Sequence, residues 1–240
     1  MHSLYLLIPV GFVVGFINAI SGGASTLSFP VLLALGLSPV SAATTNSLGI
    51  SNANLFALIP QRGKITSLLR EYKTLVILSC IAAIAGAILL LAFPEKVFSK
   101  IAPFLLLFAS LSILAPMKPG RKIISGAKEK ALISLSGLYS GYFGPGSGII
   151  VIATLIRSRS YTYVNTGKNL ISGVTNIFCN FIYILSGNIQ WPACGVLFGS
   201  SAVGAITAGR VVTHLPVKYL RILVAVTGTM ASFWLMKKYL

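Results

Sequence analysis

The sequence predicts an all-α, polytopic helical membrane protein made of two inverted repeats of about five segments each. Three observations support this fold class. Of the 240 residues, 55% are hydrophobic and only 9% are charged, whereas a soluble domain has about 25% charged residues. Continuously apolar runs, long enough to cross a hydrocarbon layer of about 30 Å, recur along the chain. Similar glycine and asparagine motifs also occur in the same order in both halves.

Ten apolar segments are predicted to be helical, because a chain in lipid must satisfy its backbone hydrogen bonds internally. They are 4–20, 25–36, 40–60, 74–93, 100–116, 131–143, 147–157, 164–186, 191–208 and 219–236. Eight are predicted to cross the membrane fully or nearly so. The second and seventh, at roughly 17–18 Å, reach only about half-way. We interpret them as broken or re-entrant arms whose tips meet near the midplane.

The two halves of the chain resemble each other at offsets of 123 to 126 residues. The matched pairs are Gly11 and Gly137, Gly15 and Gly141, Gly22 and Gly148, Asn46 and Asn169, Asn52 and Asn176, and Gly63 and Gly187. The common order of the pairs favours a duplication. We therefore divide the single transmembrane domain, 1–240, into a first repeat (1–117), a basic cytoplasmic connector (118–130) and a second repeat (131–240).

The distribution of basic residues predicts the orientation of the chain. If the loop after the third segment is cytoplasmic, fourteen basic residues lie on the cytoplasmic side and four on the other. This bias follows the positive-inside rule and predicts a multi-pass protein of the inner (plasma) membrane. It also explains the net charge of +16 without nucleic acid as a partner. Because five segments per half is an odd number, the second half is inverted, as in several transporters.

Glycine- and serine-rich breaks precede both short segments and predict an anion site. They are Ser21-Gly22-Gly23-Ala24-Ser25-Thr26 and Gly144-Pro145-Gly146-Ser147-Gly148. A helix N-terminus presents free N–H groups and a partial positive charge. Two such ends that face one cavity suit a small oxyanion. The alternative for these glycines is close helix packing. We prefer the packing interpretation only for Gly11, Gly15, Gly137 and Gly141, which have small-x-x-x-small spacing.

Polar residues also cluster early in the third and eighth segments, where they are costly in lipid and usually face a cavity or another helix. The clusters are Thr44, Thr45, Asn46, Ser47, Ser51, Asn52 and Asn54, and Thr166, Lys168, Asn169, Ser172, Thr175, Asn176 and Asn180. Asn52 and Asn176 either join helices or contact substrate. Lys168 either extends to the membrane surface or supplies positive charge to an anion.

The sequence offers no enzyme, cofactor or metal constellation. The two histidines, His2 and His214, lie at segment ends without a carboxylate partner. The three cysteines lie in apolar runs without metal-ligand spacing and are interpreted as small packing residues. No carboxylate lies in a predicted span, which argues against coupling to protons or sodium.

The ordered motifs resemble the sulfite exporter TauE/SafE family over about residues 5–236. The stretches that carry the resemblance are Gly15-x6-Gly22-Gly23, Ala42-x-Thr44-Thr45-Asn46-Ser47, Gly63-Lys64-Ile65, Thr166-Gly167-Lys168-Asn169 and Gly187-Asn188-Ile189-Gln190-Trp191. The resemblance implies transport of small, often sulfur-containing anions such as sulfite, thiosulfate, sulfonates or organic sulfur acids. The first break has fewer glycines than in many members, and the second contains Pro145.

The sequence therefore predicts a membrane transporter that exports small anions. It is expected to work by alternating access around a site near the membrane midplane. The predicted substrate-binding residues are Ser21, Gly22, Gly23, Ser25, Thr26, Thr45, Asn46, Asn52, Gly144, Gly146, Ser147, Gly148, Lys168, Asn169 and Asn176. The expected partners are the anionic substrate, the lipid bilayer and a second copy in a homodimer. Two alternatives stay open, an anion channel of the same fold and a non-transporting membrane assembly factor.

Overall fold

The computed structural model describes residues 2–114, 126–156, 160–211 and 217–240. Most of the predicted connector, together with Arg157, Arg159 and His214, lies outside these ranges. The described residues form ten α-helices, each of which overlaps one of the ten predicted segments, and they confirm the all-α fold class. They are Leu7–Ser21 (α1), Ser25–Ala34 (α2), Pro39–Phe56 (α3), Arg62–Ala92 (α4), Glu95–Ser112 (α5), Ala127–Tyr142 (α6), Ser147–Leu155 (α7), Tyr161–Leu185 (α8), Trp191–Val211 (α9) and Val217–Tyr239 (α10).

Four stretches of the described chain are long and apolar enough to cross a bilayer. They are Leu4–Ser21, Pro39–Ala92, Trp191–Ala208 and Tyr219–Tyr239. Helix α8 has 25 residues, which is long enough to cross, but it contains the second polar cluster. Large apolar side chains are exposed on several helices, among them Ile81, Phe104, Phe181 and Phe233. Apolar exposure on this scale suits a surface that faces lipid.

Helix α4 begins twelve residues before the predicted segment. Residues 62–73 contain Arg, Lys, Glu and Leu, which favour helix, although their charges make them look like a loop. Ile65, Leu68 and Tyr72 pack in one hydrophobic cluster, and Leu68 and Tyr72 are buried. This spacing forms an apolar stripe. The predicted polar loop is therefore an amphipathic first part of α4.

Helices α2 and α7 have 10 and 9 residues, which correspond to about 15 and 14 Å. Each is half the length needed to cross the hydrocarbon layer, as the sequence predicted. Helix α2 begins at Ser25, shortly after α1 ends at Ser21, and α7 begins at Ser147, shortly after α6 ends at Tyr142. Each short helix therefore follows a short break rather than a long loop. The two breaks therefore place two helix N-termini inside the protein.

Two helix pairs pack backbone against backbone through glycine. Helix α1 packs on α9, where a Cβ on Gly15 would overlap the Ser201 carbonyl oxygen. Helix α6 packs on α4, where a Cβ on Gly141 would overlap the Ala83 carbonyl oxygen. A Cβ on Gly137 would likewise overlap the backbone of α4. The interpretation of these glycines as packing residues is confirmed.

An aromatic cluster connects the second break to α2 and α5. The rings of Phe29 in α2 and Phe143 in the second break meet edge to face, with centroids 5.3 Å apart. Phe98 of α5 contacts both rings. Phe29, Phe98 and Phe143 are all almost completely buried. Edge-to-face pairs of this kind contribute about 0.5–1.5 kcal/mol beyond area burial, so the cluster fixes the second break against the first half.

Candidate functional site

The two breaks lie against each other in the interior. Gly22 and Gly23 follow α1 with φ of 70° and 81°, and Gly144 and Gly146 precede α7 with φ of 91° and 88°. These positive φ values favour glycine. A Cβ built on Gly22 would lie 3.4 Å from the Cα of Gly148. The tips of the two short helices therefore meet, as the matched breaks predicted.

A small polar cavity, which we call the break cavity, opens where the tips meet. Its volume is about 30 Å³, enough for one or two water molecules. Nine of the residues predicted as substrate-binding line it, namely Gly23, Ser25, Asn46, Gly144, Gly146, Ser147, Gly148, Lys168 and Asn176. The remaining lining residues are Asn18, Ser47, Ile50, Asn54, Ser140, Phe143, Pro145 and Ser172.

The N-termini of α2 and α7 at this cavity have no side-chain caps. The residues before the first turns are Ala24 and Gly146, and neither makes a side-chain cap hydrogen bond. By contrast, Ser38 caps α3 and Ser160 caps α8. In these first turns four N–H groups donate to nearby backbone carbonyl oxygens, namely those of Thr26, Leu27, Ser147 and Ile149. The partial positive charge of the two helix ends remains for another acceptor. The arrangement suits an anion in the cavity.

Lys168 places its side-chain nitrogen at the same cavity and is completely buried. Its ammonium donates to the Asn18 carbonyl oxygen at 2.8 Å, to Asn54 Oδ1 at 3.4 Å and to Asn169 Oδ1. These three acceptors are neutral and match the three donors of a lysine. The interpretation of Lys168 as a side chain that reaches the membrane surface is therefore wrong. None of these three partners is a carboxylate.

None of the three acidic residues of the chain lines the break cavity. Glu95 accepts a hydrogen bond from the Val40 backbone N–H at the start of α3. Glu71 accepts one from the exposed Tyr163 hydroxyl. Glu129 lies in the first turn of α6. A protonated Lys168 therefore has no acidic counter-charge in the cavity lining, and burial of such a charge is unfavourable.

Six predicted binding residues do not line the break cavity. Ser21 donates to the Ile17 carbonyl oxygen of α1, and Thr26 donates to the Gly23 carbonyl oxygen of the first break. Thr45 Oγ1 accepts from the Gln190 backbone N–H at 3.0 Å, at the start of α9. Gly22 supports the meeting of the tips, Asn169 holds Lys168, and Asn52 contacts α9.

The sequence-matched asparagines Asn52 and Asn176 have different surroundings. Asn52 Nδ2 donates to the Phe198 carbonyl oxygen at 2.7 Å, and its Oδ1 accepts from Ser201 at 2.9 Å. It therefore joins α3 to α9. Asn176 lines the break cavity and accepts only a 3.3 Å hydrogen bond from Ser140. Asn52 therefore joins two helices, whereas Asn176 lies at the cavity where a substrate could contact it.

Two polar lining residues were not singled out from the sequence, Asn18 and Ser140. Asn18 is the only amide side chain in the first apolar segment and lies three residues before the first break. That isolated position is a usable signal, because a polar group in a span usually faces a cavity or a partner. Ser140 resembles any small packing residue, and the sequence contains no signal for it.

Ten helices in the described part of the chain, apolar surfaces exposed on several of them, and a buried polar cavity lined by Lys168 fit a multi-pass membrane protein of the transporter class. The chain belongs to the sulfite exporter TauE/SafE family, whose family model matches residues 7–235. Curated relatives bear matching names. A "probable membrane transporter protein" of Haemophilus influenzae is 28% identical over 216 positions, which cover 87% of this chain and 85% of the relative.

Two further relatives have similar coverage. The "probable membrane transporter protein YfcA" of Escherichia coli K12 is 25% identical over 251 aligned positions, covering 96% of this chain and 91% of the relative. The "probable membrane transporter protein ORF9" of a Sinorhizobium species is 28% identical over 218 positions, covering 82% and 78%. The names of the relatives and of the family indicate a membrane transporter rather than an enzyme.

Proposed function

We propose that this protein is a carrier that exports small oxyanions, in particular sulfur-containing anions such as sulfite, thiosulfate, sulfonates or organic sulfur acids. The substrate binds in the break cavity. The name of the family supports a sulfur oxyanion, and the names of the relatives support membrane transport. No metal or cofactor takes part in the proposed cycle.

The observation that carries the proposal is the uncompensated charge of Lys168 beside two uncapped helix N-termini. Among its three hydrogen bonds, the one to Asn54 Oδ1 is long, at 3.4 Å, and Asn54 itself lines the cavity. An oxyanion that enters the cavity accepts this hydrogen bond in place of Asn54, and its negative charge balances that of the buried ammonium, which keeps its proton. Charge-assisted hydrogen bonds of this kind are about twice as strong as neutral ones.

The cavity volume of about 30 Å³ is smaller than an oxyanion needs, so binding requires the two tips to separate. Their contact at Gly22 and Gly148 is formed by backbone without side chains. Separation of the tips also has to displace the packed rings of Phe29 and Phe143. We infer that the tips open with the exchange between outward- and inward-facing states, as expected for alternating access.

The helix packing supports two inverted repeats that rock against each other. If α1 to α5 correspond to α6 to α10, the pair α1 and α9 corresponds to α6 and α4, and both pairs are in contact. Likewise, the pair α3 and α9 corresponds to the pair α8 and α4, and both of these pairs are in contact. The glycine contacts follow the same correspondence between the repeats. A Cβ on Gly204 of α9 would overlap the Phe12 carbonyl oxygen of α1, and a Cβ on Gly86 of α4 would overlap the Leu138 carbonyl oxygen of α6.

Export requires no coupling ion in this proposal. With the inner membrane as the location, an anion that leaves a cell with a negative interior gains about 2.3 kcal/mol per charge per 100 mV. The absence of acidic residues from the break cavity fits a cycle without proton transfer to a carboxylate. The membrane potential alone then sets the direction.

Counterflow in proteoliposomes tests the proposal. Vesicles loaded with unlabelled thiosulfate or sulfite are expected to accelerate saturable uptake of the labelled anion, because a carrier exchanges substrate across the membrane. Vesicles loaded with chloride and vesicles without protein are the controls. Electrodiffusive currents without counterflow would support a channel instead. If none of the sulfur anions enters faster than in protein-free vesicles, the proposed function is wrong.

A further inference from the structure

Three polar side chains on one face of α8 bind the C-terminal end of α1. Tyr161, Asn165 and Asn169 follow one another at intervals of four residues, which places them on the same face of the helix. Tyr161 donates to the Ile20 carbonyl oxygen at 2.9 Å. Asn165 Nδ2 and Asn169 Nδ2 both donate to the Ala19 carbonyl oxygen, at 2.9 and 3.2 Å. We call these three side chains the α8 stripe.

The contact between the α8 stripe and α1 joins the two proposed repeats, because α1 belongs to the first and α8 to the second. The carbonyl groups that accept these hydrogen bonds lie in the last turn of α1, where a helix leaves them without partners of its own. When the two helices separate, water can replace each of these bonds. The net contribution of each bond to stability is therefore small, so the contact is suited to form and break repeatedly.

The α8 stripe lies between the break cavity and a second polar cavity, which has a volume of about 40 Å³. We call the second one the end cavity. The stripe, the end of α1, Gln61 after α3 and Ala208 near the end of α9 all line it. These parts of α3, α8 and α9 lie toward the side that the basic residues predict to be cytoplasmic. Lys168 lines the break cavity and its neighbour Asn169 lines the end cavity. The contact of the stripe with α1 therefore separates the two cavities.

The matched position in the first repeat makes no comparable contact. Asn46 is the sequence counterpart of Asn169, and the second break is the counterpart of the first. Asn46 is bonded to Ser28 and to the Ser25 carbonyl oxygen, both in α2 of its own repeat. Within the described chain, none of its hydrogen bonds reaches the second break. Hydrogen bonds of this kind therefore close one side of the protein only, as alternating access requires of inverted repeats.

We propose that the α8 stripe is the inner gate of the carrier, which closes the break cavity toward the cytoplasm while it binds α1 and opens the cavity when it lets go. The inference rests on the proposed function, because a gate has a role only if an anion passes through it. Opening requires the loss of three hydrogen bonds to two carbonyl groups, without the movement of a whole domain.

Lys168 connects this gate to the anion site. Its ammonium donates to Asn169 Oδ1, and the same Asn169 side chain donates through Nδ2 to the Ala19 carbonyl oxygen. An anion in the break cavity competes with Asn169 for the ammonium. That competition removes one of the contacts that hold the Asn169 side chain against α1. Anion binding therefore favours release of the α8 stripe.

Thiol labelling from each side of the membrane tests the gate. Ser172→Cys places a reporter thiol at the break cavity, in a full-length chain whose three native cysteines are replaced by alanine. A membrane-impermeant methanethiosulfonate is added to inside-out or to right-side-out vesicles. Tyr161→Phe and Asn165→Leu are each expected to raise the labelling rate from the cytoplasmic side about fivefold, the effect of one lost hydrogen bond on the open population. Neither is expected to raise labelling from the other side.

Tyr163→Phe is the matched control, since Tyr163 lies on the same helix and its hydroxyl donates to Glu71 of α4. Its labelling is expected to equal that of the reporter protein without further change. Unchanged labelling in both gate variants, or an equal rise from both sides, would overturn the inference and leave the proposed function intact. Thiosulfate counterflow by the wild type in the same vesicles is measured separately. Its absence would contradict the proposed function, and the gate with it.

Discussion

Lys168→Met is expected to weaken the binding of sulfite and thiosulfate about a hundredfold and to abolish counterflow. The variant removes the only full charge at the break cavity, and a buried hydrogen bond to a charged group contributes up to about 3 kcal/mol. The unfolding temperature of the ligand-free variant is expected not to fall. Removal of a buried charge without a counter-charge offsets the three lost hydrogen bonds. Calorimetry and thermal unfolding of the purified protein measure the two effects.

Lys73→Met is the matched control, because Lys73 is an exposed lysine of α4. This variant loses the same charge and is expected to bind anions as the wild type does. Lys168→Arg keeps the charge in a site shaped for a compact ammonium, so weaker but measurable binding is expected. If Lys168→Met binds sulfite with unchanged affinity, the break cavity is not the anion site.

Gly15→Ala and Gly141→Ala are expected to lower the unfolding temperature by about 10 °C each. In both cases the new methyl group would overlap a carbonyl oxygen of the facing helix, Ser201 for Gly15 and Ala83 for Gly141. Overpacking against backbone cannot be relieved by a rotamer change and costs about 3 kcal/mol. Because the two glycines occupy corresponding places in the proposed repeats, the two variants should behave alike.

Gly199→Ala provides the control for these variants. Gly199 lies in α9, one of the same packed helices, and a Cβ there would meet nothing within 4 Å. Alanine in an exposed helical position is expected to raise stability by up to about 1 kcal/mol. Thermal unfolding in detergent compares the three variants. Equal unfolding temperatures for Gly15→Ala and Gly199→Ala would contradict the close contact between α1 and α9.

The number and places of the helices could be predicted from the sequence because continuous apolar runs have only one stable form in lipid. The half-length of α2 and α7 followed from the spacing of the two breaks. The start of α4 could not be predicted in this way. Its first part is stabilised by a buried apolar stripe that includes Leu68 and Tyr72. The charged residues around this stripe favour helix, but their charges make the stretch resemble a loop in the sequence.

The composition of the site was predictable at the breaks and less so on the long helices. Gly23, Ser147 and Gly148 lie at the cavity because the breaks themselves form it. On α3, Thr45 and Asn46 are neighbours in sequence, yet only Asn46 lines the cavity, and Thr45 faces Gln190. Adjacent residues of a helix point about 100° apart. The rotation of α3 depends on its packing against α8 and α9, which local sequence does not reveal.

The measurement that tests the central claim most directly is the anomalous scattering of selenite bound to crystals of the protein. Selenite has the shape and charge of sulfite and contains a strong anomalous scatterer. We predict one major selenium peak in the break cavity, between Gly23, Ser147 and the Lys168 ammonium, with the tips further apart than in the ligand-free structure. A major peak elsewhere, or no peak in the cavity at saturating selenite, would contradict the account.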